Sequence, residues 1–345
     1  MPPHRRRAPR SDVDLEDIQG IALHRYRRQR LARYYLLDFG DGAPRSVLSR
    51  RVTDLSDAAE PHRTSRQQLA FTASGLRALG LSEGELAQFS REFRQGMAHP
   101  ERAAALADTG LSGPEHWHFG GPNNPPLDGI WMVFAETLER LAELGAQGER
   151  LFDRFGIEWR AHDAYTFEDP HFSPLRPRPR SERLPLGELI LGQKNAIGER
   201  HSGPLVAVKV GARPLPNWSR SRTTVDLGRH GSYFALRKLE LQTPDLDDSQ
   251  FEAALVGEHA RLMGAHAQLA RDHRVVSRGR RDGDGLWVMA LNTDIRRQFE
   301  FVARYAQGDA GLGADESRHS FRVCGGAYFF LPSVRALNYL AEVGW

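Results

Sequence analysis

The sequence has little cysteine, little lysine and no long apolar run. Its 345 residues include one cysteine, which excludes a disulfide framework and any cysteine-rich zinc or iron–sulfur site. No stretch approaches the ~18 consecutive apolar residues of a membrane-spanning helix, so we expect no membrane association. Lysine occurs at three positions only, and arginine supplies the rest of the 47 basic residues.

Positive charge is concentrated at the N-terminus. Residues 1–10 contain four arginines and no acid, whereas the net charge of the chain is +3, so the remainder is close to neutral. A nucleic-acid-binding protein needs basic residues clustered on a folded face, and we expect no nucleic-acid partner. No apolar segment follows the basic residues, so we expect no secretory signal and a cytoplasmic protein. We predict that residues 1–11 form a disordered basic tail.

Short apolar runs predict mixed α and β structure in both halves of the chain. In the first half, strands are predicted at 34–39, 68–72 and 130–135. A short helix is predicted between Ser74, as its N-cap, and Gly80. An amphipathic helix is predicted at 138–155, from the spacing of Leu138, Leu141, Leu144 and Leu151.

The second half repeats this pattern. Strands are predicted at 232–241, 286–291 and 327–331, and helices at 249–270 and 293–305. This order of elements predicts an α+β fold in which two antiparallel sheets pack together with helices outside.

A proline-rich segment separates the halves. Four prolines fall within residues 170–179 and alternate with arginines, and this density excludes a helix or a central strand. We therefore predict an extended connector at 170–186 between an N-terminal domain, 12–169, and a C-terminal domain, 187–345.

A set of short segments occurs in a distinctive order. They are Asp17-Ile18-Gln19-Gly20, Phe71-Thr72-Ala73-Ser74-Gly75-Leu76, Asp108-Thr109-Gly110, Pro114-Glu115-His116-Trp117, Arg237-Lys238-Leu239-Glu240, Asp294-Ile295-Arg296-Arg297-Gln298-Phe299-Glu300-Phe301 and Gly326-Ala327-Tyr328-Phe329-Phe330-Leu331-Pro332. Together, over roughly residues 12–342, they resemble the dye-decolorizing peroxidase family. The resemblance implies two ferredoxin-like domains of the dimeric α+β barrel type. It also implies one b-type haem (heme b) in the C-terminal half, hydrogen peroxide as oxidant and an organic reducing substrate.

The resemblance implies that a histidine after Gly-Ala ligates the haem iron, and Gly264-Ala265-His266 matches. A haem iron needs a neutral imidazole whose other nitrogen is held by an acceptor, for which Asp294 is a candidate. Two alternatives stay open: His266 is a core histidine bonded to a backbone carbonyl, or His259 on the same helix face is the ligand.

The resemblance implies a distal aspartate in the family's Gly-x-x-Asp-Gly motif, which corresponds here to Asp169. Thr166 and Pro170 replace its two glycines. Proline fixes φ and removes a donor where glycine would permit a tight turn, so Asp169 is either the distal acid or an ordinary turn aspartate. The neighbouring His171 is either a new distal base or a surface histidine.

The family's distal arginine lies in an Arg-Arg-Gly run, which here reads Ser277-Arg278-Gly279. Ser277 occupies the first arginine position, which we take as the haem-facing one. Either Arg278 turns toward the haem with a shift in register, or the distal pocket has no fixed cation. The resemblance also makes Arg278 and Arg237 candidates for haem contact.

Two further features, a histidine pair and the single cysteine, could have either a chemical or a structural role. His116 and His118 share one face of a predicted extended segment, but no third metal ligand lies nearby in the sequence, which favours a structural role. Cys324 is expected to be a buried thiol, since a thiolate ligand would need surroundings that lower its pKa.

The sequence thus leaves three functions open. The first is a haem peroxidase of low or redirected activity that uses His266, Asp169 and Arg278. The second is a haem enzyme with other chemistry, such as an oxygenase or dehydratase in specialised metabolism. The third is a haem-free relative that acts as a binding protein. Homo-oligomers are common in this fold.

Overall fold

The computed structural model describes part of the chain. The described residues are 13–60, 63–166, 184–207, 224–242, 249–250, 253–254, 270–283, 285–308 and 321–342. The predicted tail 1–11, most of the predicted connector 170–186 and most of the predicted helix 249–270 lie outside them.

The described strands number ten, and eight of them close into one antiparallel barrel. They are β1 (Leu31–Asp38), β2 (Ser65–Phe71), β3 (Gly129–Ala135), β4 (Glu158–Tyr165), β5 (Leu205–Ala207), β6 (Thr224–Asp226), β7 (Ser232–Leu241), β8 (Val276–Asp282), β9 (Gly285–Asn292) and β10 (Phe321–Leu331). The order around the barrel is β1–β3–β2–β10–β7–β9–β8–β4, and β5 pairs with β6 in a separate two-stranded sheet.

The described helices lie outside the barrel. They are α1 (Pro44–Arg51), α2 (Ala73–Ala78), α3 (Glu83–Leu86), α4 (Arg91–Gln95), α5 (Pro100–Ala105), α6 (Leu138–Arg154), α7 (Phe301–Gly308) and α8 (Val334–Glu342). A π-helical turn, Ile295–Glu300, runs directly into α7. None of these helices is long and apolar enough to span a bilayer.

Two seams join the N-terminal strands to the C-terminal strands. At one seam β2 pairs with β10 through Phe71 and Phe330. At the other, β4 pairs with β8 through Tyr165 and Arg281. The predicted α+β fold of antiparallel sheets with peripheral helices is confirmed, but the two sheets meet edge to edge instead of face to face. They therefore share one interior core, and the edges at both seams are closed.

Strands β3 and β9 are buried on both faces, whereas β4 and β8 are only partly buried. Every residue of β3 and β9 is buried. Alternate side chains enter the barrel interior, where Tyr34 packs on Phe134 and Trp287. The side chains at the intervening strand positions pack against the outer helices and loops. Burial on both faces explains why β3 and β9 read as continuous apolar runs without polar alternation.

Helix α6 packs on the outer face of β3. Thr137 caps its N-terminus, because the Thr137 side chain accepts from the backbone N–H of Arg140 at 3.2 Å. Gly148 lies against Trp131 so closely that a Cβ there would stand 2.1 Å from the indole ring. The predicted apolar stripe began at Leu138, but that residue is 64% exposed and lies outside the contact.

Helix α2 begins two residues earlier than predicted. Thr72, and not Ser74, is its N-cap, since the Thr72 side chain accepts from Gly75 N–H at 3.2 Å. Ser74 instead donates to Asp128 Oδ1 at 2.6 Å. Gly80 follows the helix with φ +89°, as expected for a glycine after a helix C-terminus.

Candidate active site

Small side chains form a flat patch on the outer face of the C-terminal strands. Ser277 of β8 lies opposite Ala290 of β9, and Ala290 lies opposite Ala235 of β7. Gly279 follows two positions after Ser277 and lies opposite Val288. Residues opposite one another on a ladder share a face, so Ser277, Gly279, Ala290 and Ala235 form one surface, which we call the small-residue patch. Ala235 and Ala290 are each 1% exposed and belong to the outer hydrophobic core, so the patch is an internal wall of the fold.

Ser277 and Arg278 lie on opposite faces of β8. Ser277 shares the outer face with Ala290, whereas Arg278 lies opposite Met289, whose side chain belongs to the barrel interior. Side chains alternate along a strand with a period of two, so a one-residue shift of register would be needed to bring Arg278 to the patch.

The guanidinium of Arg278 is already bonded inside the barrel. Its Nη2 donates to the carbonyl oxygen of Ile21 at 2.8 Å, and its Nε donates to the same oxygen at 3.2 Å. Burial lowers the pKa of Arg278, and the nearby positive charge of Arg25 lowers it further. The described hydrogen bonds of Arg278 therefore join it to the N-terminal segment around Ile21 and Ala22, inside the barrel.

Arg237 occupies the outer face at the edge of the patch. It is 6% exposed, lies opposite Val288 and forms an ion pair with Asp108. Burial raises the pKa of Asp108, while the charge of Arg237 opposes this effect. Arg237 Nε and Asp108 Oδ2 are buried, and neither has a hydrogen-bond partner among the described residues. Arg237 Nε can therefore donate one further hydrogen bond, and Asp108 Oδ2 can accept one.

A second buried polar group lies beside this pair. Tyr328, opposite Ala235 on β10, donates from its hydroxyl to Glu300 Oε1 at 2.9 Å. Arg102 donates from Nη1 to Glu300 Oε2 at 2.9 Å. Burial raises the pKa of Glu300, although the bonds from Tyr328 and Arg102 act in the opposite direction. The two ion pairs thus bring N-terminal residues onto the face of the C-terminal strands.

The π-helical turn is fixed by its own side chains. Asp294 caps it by accepting from Arg297 N–H at 2.9 Å. Gln298, which is fully buried, donates to the carbonyl oxygens of Glu188 and Arg274 at 2.9 and 2.7 Å. π-Helical turns occur often at functional sites. The proposed role of Asp294 as an acceptor for the iron ligand stays a prediction.

Each described histidine has a partner that is not a residue of the patch. The partners are Ala58 O for His24, Glu101 N–H for His99, Glu115 for His116, Glu240 for His118, Trp287 for His162, Asn195 for His201, Asp17 for His230 and Arg297 O for His273. The predicted site residues His266, Asp169 and His171, with the rival ligand His259, lie outside the described residues. Of the predicted set, the structure places Ser277 and Arg237 on one face and Arg278 on the other.

Sequence reasoning gave no role to Asp108, Glu300 and Tyr328. All three were noted as parts of family-like segments, but a position in the sequence does not reveal the partner of a side chain. The one available signal was Arg237 within an apolar strand, because a buried arginine requires a buried acceptor.

Comparison with known proteins reveals relatives in structure only. No protein-family model matches the chain, and no curated protein matches it. The chain is similar to the solved structure of DyP2 from Amycolatopsis sp., with TM-score 0.64, 17% identity and coverage of 94% of this chain and 96% of that one. It is similar to a dye-decolorizing peroxidase in complex with 2,6-dimethoxyphenol (TM-score 0.62, 14% identity, 96% and 100% covered). It is also similar to a dye-decolorizing peroxidase whose haem pocket was engineered for asymmetric sulfoxidation (TM-score 0.57, 14% identity, 96% and 100% covered).

These similarities cover nearly the whole of each chain. The chain therefore has the fold of the dye-decolorizing peroxidases, and the resemblance indicated by its ordered segments is confirmed at the level of the fold.

Proposed function

We propose that this chain is a haem-binding oxidoreductase of the dye-decolorizing peroxidase type, with the haem on the outer face of the C-terminal strands. The observation that carries the proposal is the small-residue patch, since the small side chains of Ser277, Ala290 and Ala235 on one largely buried face suit contact with a planar macrocycle. The fold is that of proteins whose printed descriptions name them as peroxidases, one of them with a haem pocket.

The residues around the patch are chemically suited to haem. Arg237 Nε and Asp108 Oδ2 are buried donor and acceptor atoms that lack partners among the described residues. We assign the iron ligand to His266, with His259 as the alternative, because Gly264-Ala265-His266 matches the Gly-Ala-His segment that the resemblance implies. When bound, the haem would supply the redox centre at which peroxide is reduced and an organic donor is oxidised.

The chain's own residues would then handle protons and charge. We assign Asp169 the role of proton carrier between the two oxygens of peroxide. An arginine at position 277 would stabilise the negative charge that develops on the leaving oxygen, but Ser277 has no charge to offer. Loss of one preorganised donor typically costs ~3 kcal/mol of barrier, or a factor of 10²–10³ in rate. We therefore infer a peroxidase of low or redirected activity.

The uncharged side chain at position 277 also favours a second candidate function. Ser277 faces outward at the patch, and Arg278 is bonded inside the barrel, so neither supplies a fixed cation to the outer face. A haem enzyme that does not cleave peroxide, such as an oxygenase or dehydratase, has no need of that cation. This alternative retains haem and the assignment of His266 but changes the reaction.

Two measurements distinguish these functions. A haemin titration followed by absorbance separates both haem enzymes from a haem-free binding protein. Turnover of hydrogen peroxide with a phenolic donor then separates the peroxidase from the alternative. The proposal predicts saturable haem binding and slow, haem-dependent oxidation of the phenol. Saturable binding without any peroxide-dependent turnover would favour the second candidate.

A further inference from the structure

Three metal-ligating side chains meet at one end of the barrel. They are His118, from the segment before β3, Glu240, near the end of β7, and Cys324 of β10. Their ligand atoms all lie within 4.8 Å of one another, and His118 Nδ1 is 3.3 Å from Glu240 Oε1. We propose that these residues bind a divalent cation of the zinc class, at a site separate from the small-residue patch.

The backbone holds two of the ligands in register. Cys324 stands at a bulge in β10, between Val323 and Gly325, where the pairing with β7 shifts. The backbone N–H of His118 donates to the carbonyl oxygen of Cys324 at 2.7 Å, and Phe119 forms a bridge with Gly325. A bulge redirects a side chain out of the regular alternation of a strand. The positions of the thiol and the imidazole are therefore coupled before any ion binds.

One carboxylate oxygen of Glu240, Oε1, is positioned to bind a metal ion. Glu240 Oε2 accepts from Arg322 Nη2 at 2.7 Å, which orients the carboxylate and leaves Oε1 toward His118. Lys238 Nζ is 3.7 Å from Glu240 Oε1 but only 3.1 Å from Asp282 Oδ2. Binding a cation at Oε1 would thus leave Lys238 paired with Asp282. Such outer contacts orient ligands and strengthen metal sites.

The donor set indicates which ion fits. Sulfur, imidazole nitrogen and carboxylate oxygen together are ligands of Zn²⁺, which takes four in a tetrahedron. Cys324 is fully buried, whereas the His118 side chain is 53% exposed. The ion would enter from the His118 side, where water can complete the coordination. Burial and the charge of Glu240 raise the pKa of the Cys324 thiol, which donates to the carbonyl oxygen of Lys238 at 3.5 Å, so Cys324 is a buried thiol without a metal, as the sequence predicted. Binding would replace the thiol proton with a sulfur–metal bond and release the proton to solvent.

The site lies on the other face of the strands from the candidate active site. Lys238, two residues before Glu240, packs over the ring of Trp287, which belongs to the barrel interior. Leu239, between them, and Arg237, which precedes Lys238, lie on the outer face with the patch. Metal binding here can therefore be measured whether or not haem is bound.

The test is equilibrium dialysis of the full chain against Zn²⁺, with metal content measured by mass spectrometry and X-ray absorption at the zinc edge. We expect one Zn²⁺ per chain, with one sulfur neighbour at ~2.3 Å and nitrogen or oxygen neighbours at ~2.0 Å. His118→Ala should weaken Zn²⁺ binding by at least about 100-fold, as expected for loss of one of three protein ligands.

His116→Ala is the matched control, because His116 lies two residues away, is exposed and is adjacent to Glu115 instead. It should bind Zn²⁺ as the wild type does. A zinc spectrum without sulfur, no bound Zn²⁺, or equal loss of binding in both histidine variants would overturn the proposal. The spectrum of the wild type decides the sulfur ligand even if Cys324→Ser does not fold.

Discussion

Ser277 and Arg278 are neighbours in the chain, but β8 directs them to opposite faces of the barrel wall. Ser277 lies opposite Ala290 on the outer face, and Arg278 donates to the carbonyl oxygen of Ile21 inside the barrel. Two adjacent positions that both carry arginine in the family's motif are therefore not interchangeable here. The outward position adds no charge to the patch, at whose edge Arg237 is paired with Asp108, and the inward position joins the strand to the N-terminal segment.

Substitution at the outward position should restore peroxide reactivity. We expect Ser277→Arg to raise the rate of the first oxidation step by ~10-fold or more, since each 1.36 kcal/mol of barrier corresponds to a factor of ten. Stopped-flow mixing of the haem-loaded ferric protein with peroxide measures this rate. Ser277→Gln is the control, since it adds length and hydrogen-bonding capacity without charge, and it should give a much smaller gain. Equal rates in all three proteins would contradict the role of charge at this position.

Substitution at the inward position should affect stability instead. Arg278→Met removes the donors to the carbonyl of Ile21 and leaves a buried acceptor unpaired, which costs about 1–3 kcal/mol. Urea unfolding should show this loss, while the rate of reaction with peroxide stays within about twofold of wild type, a difference under ~0.5 kcal/mol. A large fall in that rate with unchanged stability would show that Arg278 acts at the haem.

Much of the fold could be predicted from apolar runs, but not the closure of the barrel. The predicted strand 232–241 coincides with β7, and 286–291 lies within β9, because the first begins with an apolar run and the second is apolar throughout. Strands β4 and β8 were not predicted, since charged residues interrupt their apolar pattern. The seams depend on pairs distant in the chain, such as Tyr165 with Arg281, and no local pattern encodes such a pair.

The candidate site was also only partly predictable, because the face on which each residue lies depends on long-range strand pairing. Family-like spacing identified Ser277, Arg278 and Arg237 as positions of interest. Which face each occupies depends on the register of β8 against β9 and of β9 against β7, and a one-residue change would reverse it. The ion pair of Arg237 with Asp108 spans 129 positions, so only the folded chain reveals it.

The buried carboxylate of Glu300 should make stability depend on pH. Burial raises its pKa in the folded protein, so the folded state holds this proton more tightly than the unfolded state. Its contribution to stability is then full below the ordinary pKa of ~4.3 and is lost as the pH rises through the folded pKa. Glu300→Gln keeps an acceptor for Tyr328 but does not titrate.

Urea unfolding from pH 4 to pH 7 measures this effect. Relative to Glu300→Gln, the wild type should lose stability as the pH increases. A relative gain of stability with rising pH would mean that the ion pair with Arg102 outweighs burial.

The assignment of the iron ligand gives a pair of matched variants. His266→Ala should abolish or greatly weaken the Soret absorbance of the haem-loaded protein, whereas His259→Ala should leave it unchanged. Both positions lie on the same face of the predicted helix, so a general disturbance of that helix would affect both variants. Loss of the Soret band in His259→Ala alone would transfer the assignment to His259.

The central claim, that this chain binds haem, is tested most directly by titrating the purified wild type with haemin and recording the Soret band. We expect a saturable increase in absorbance with a sharp end point at one haem per chain, and its loss in His266→Ala. A linear increase with no end point, identical in wild type and variant, would show that the chain has the fold of the dye-decolorizing peroxidases without their cofactor.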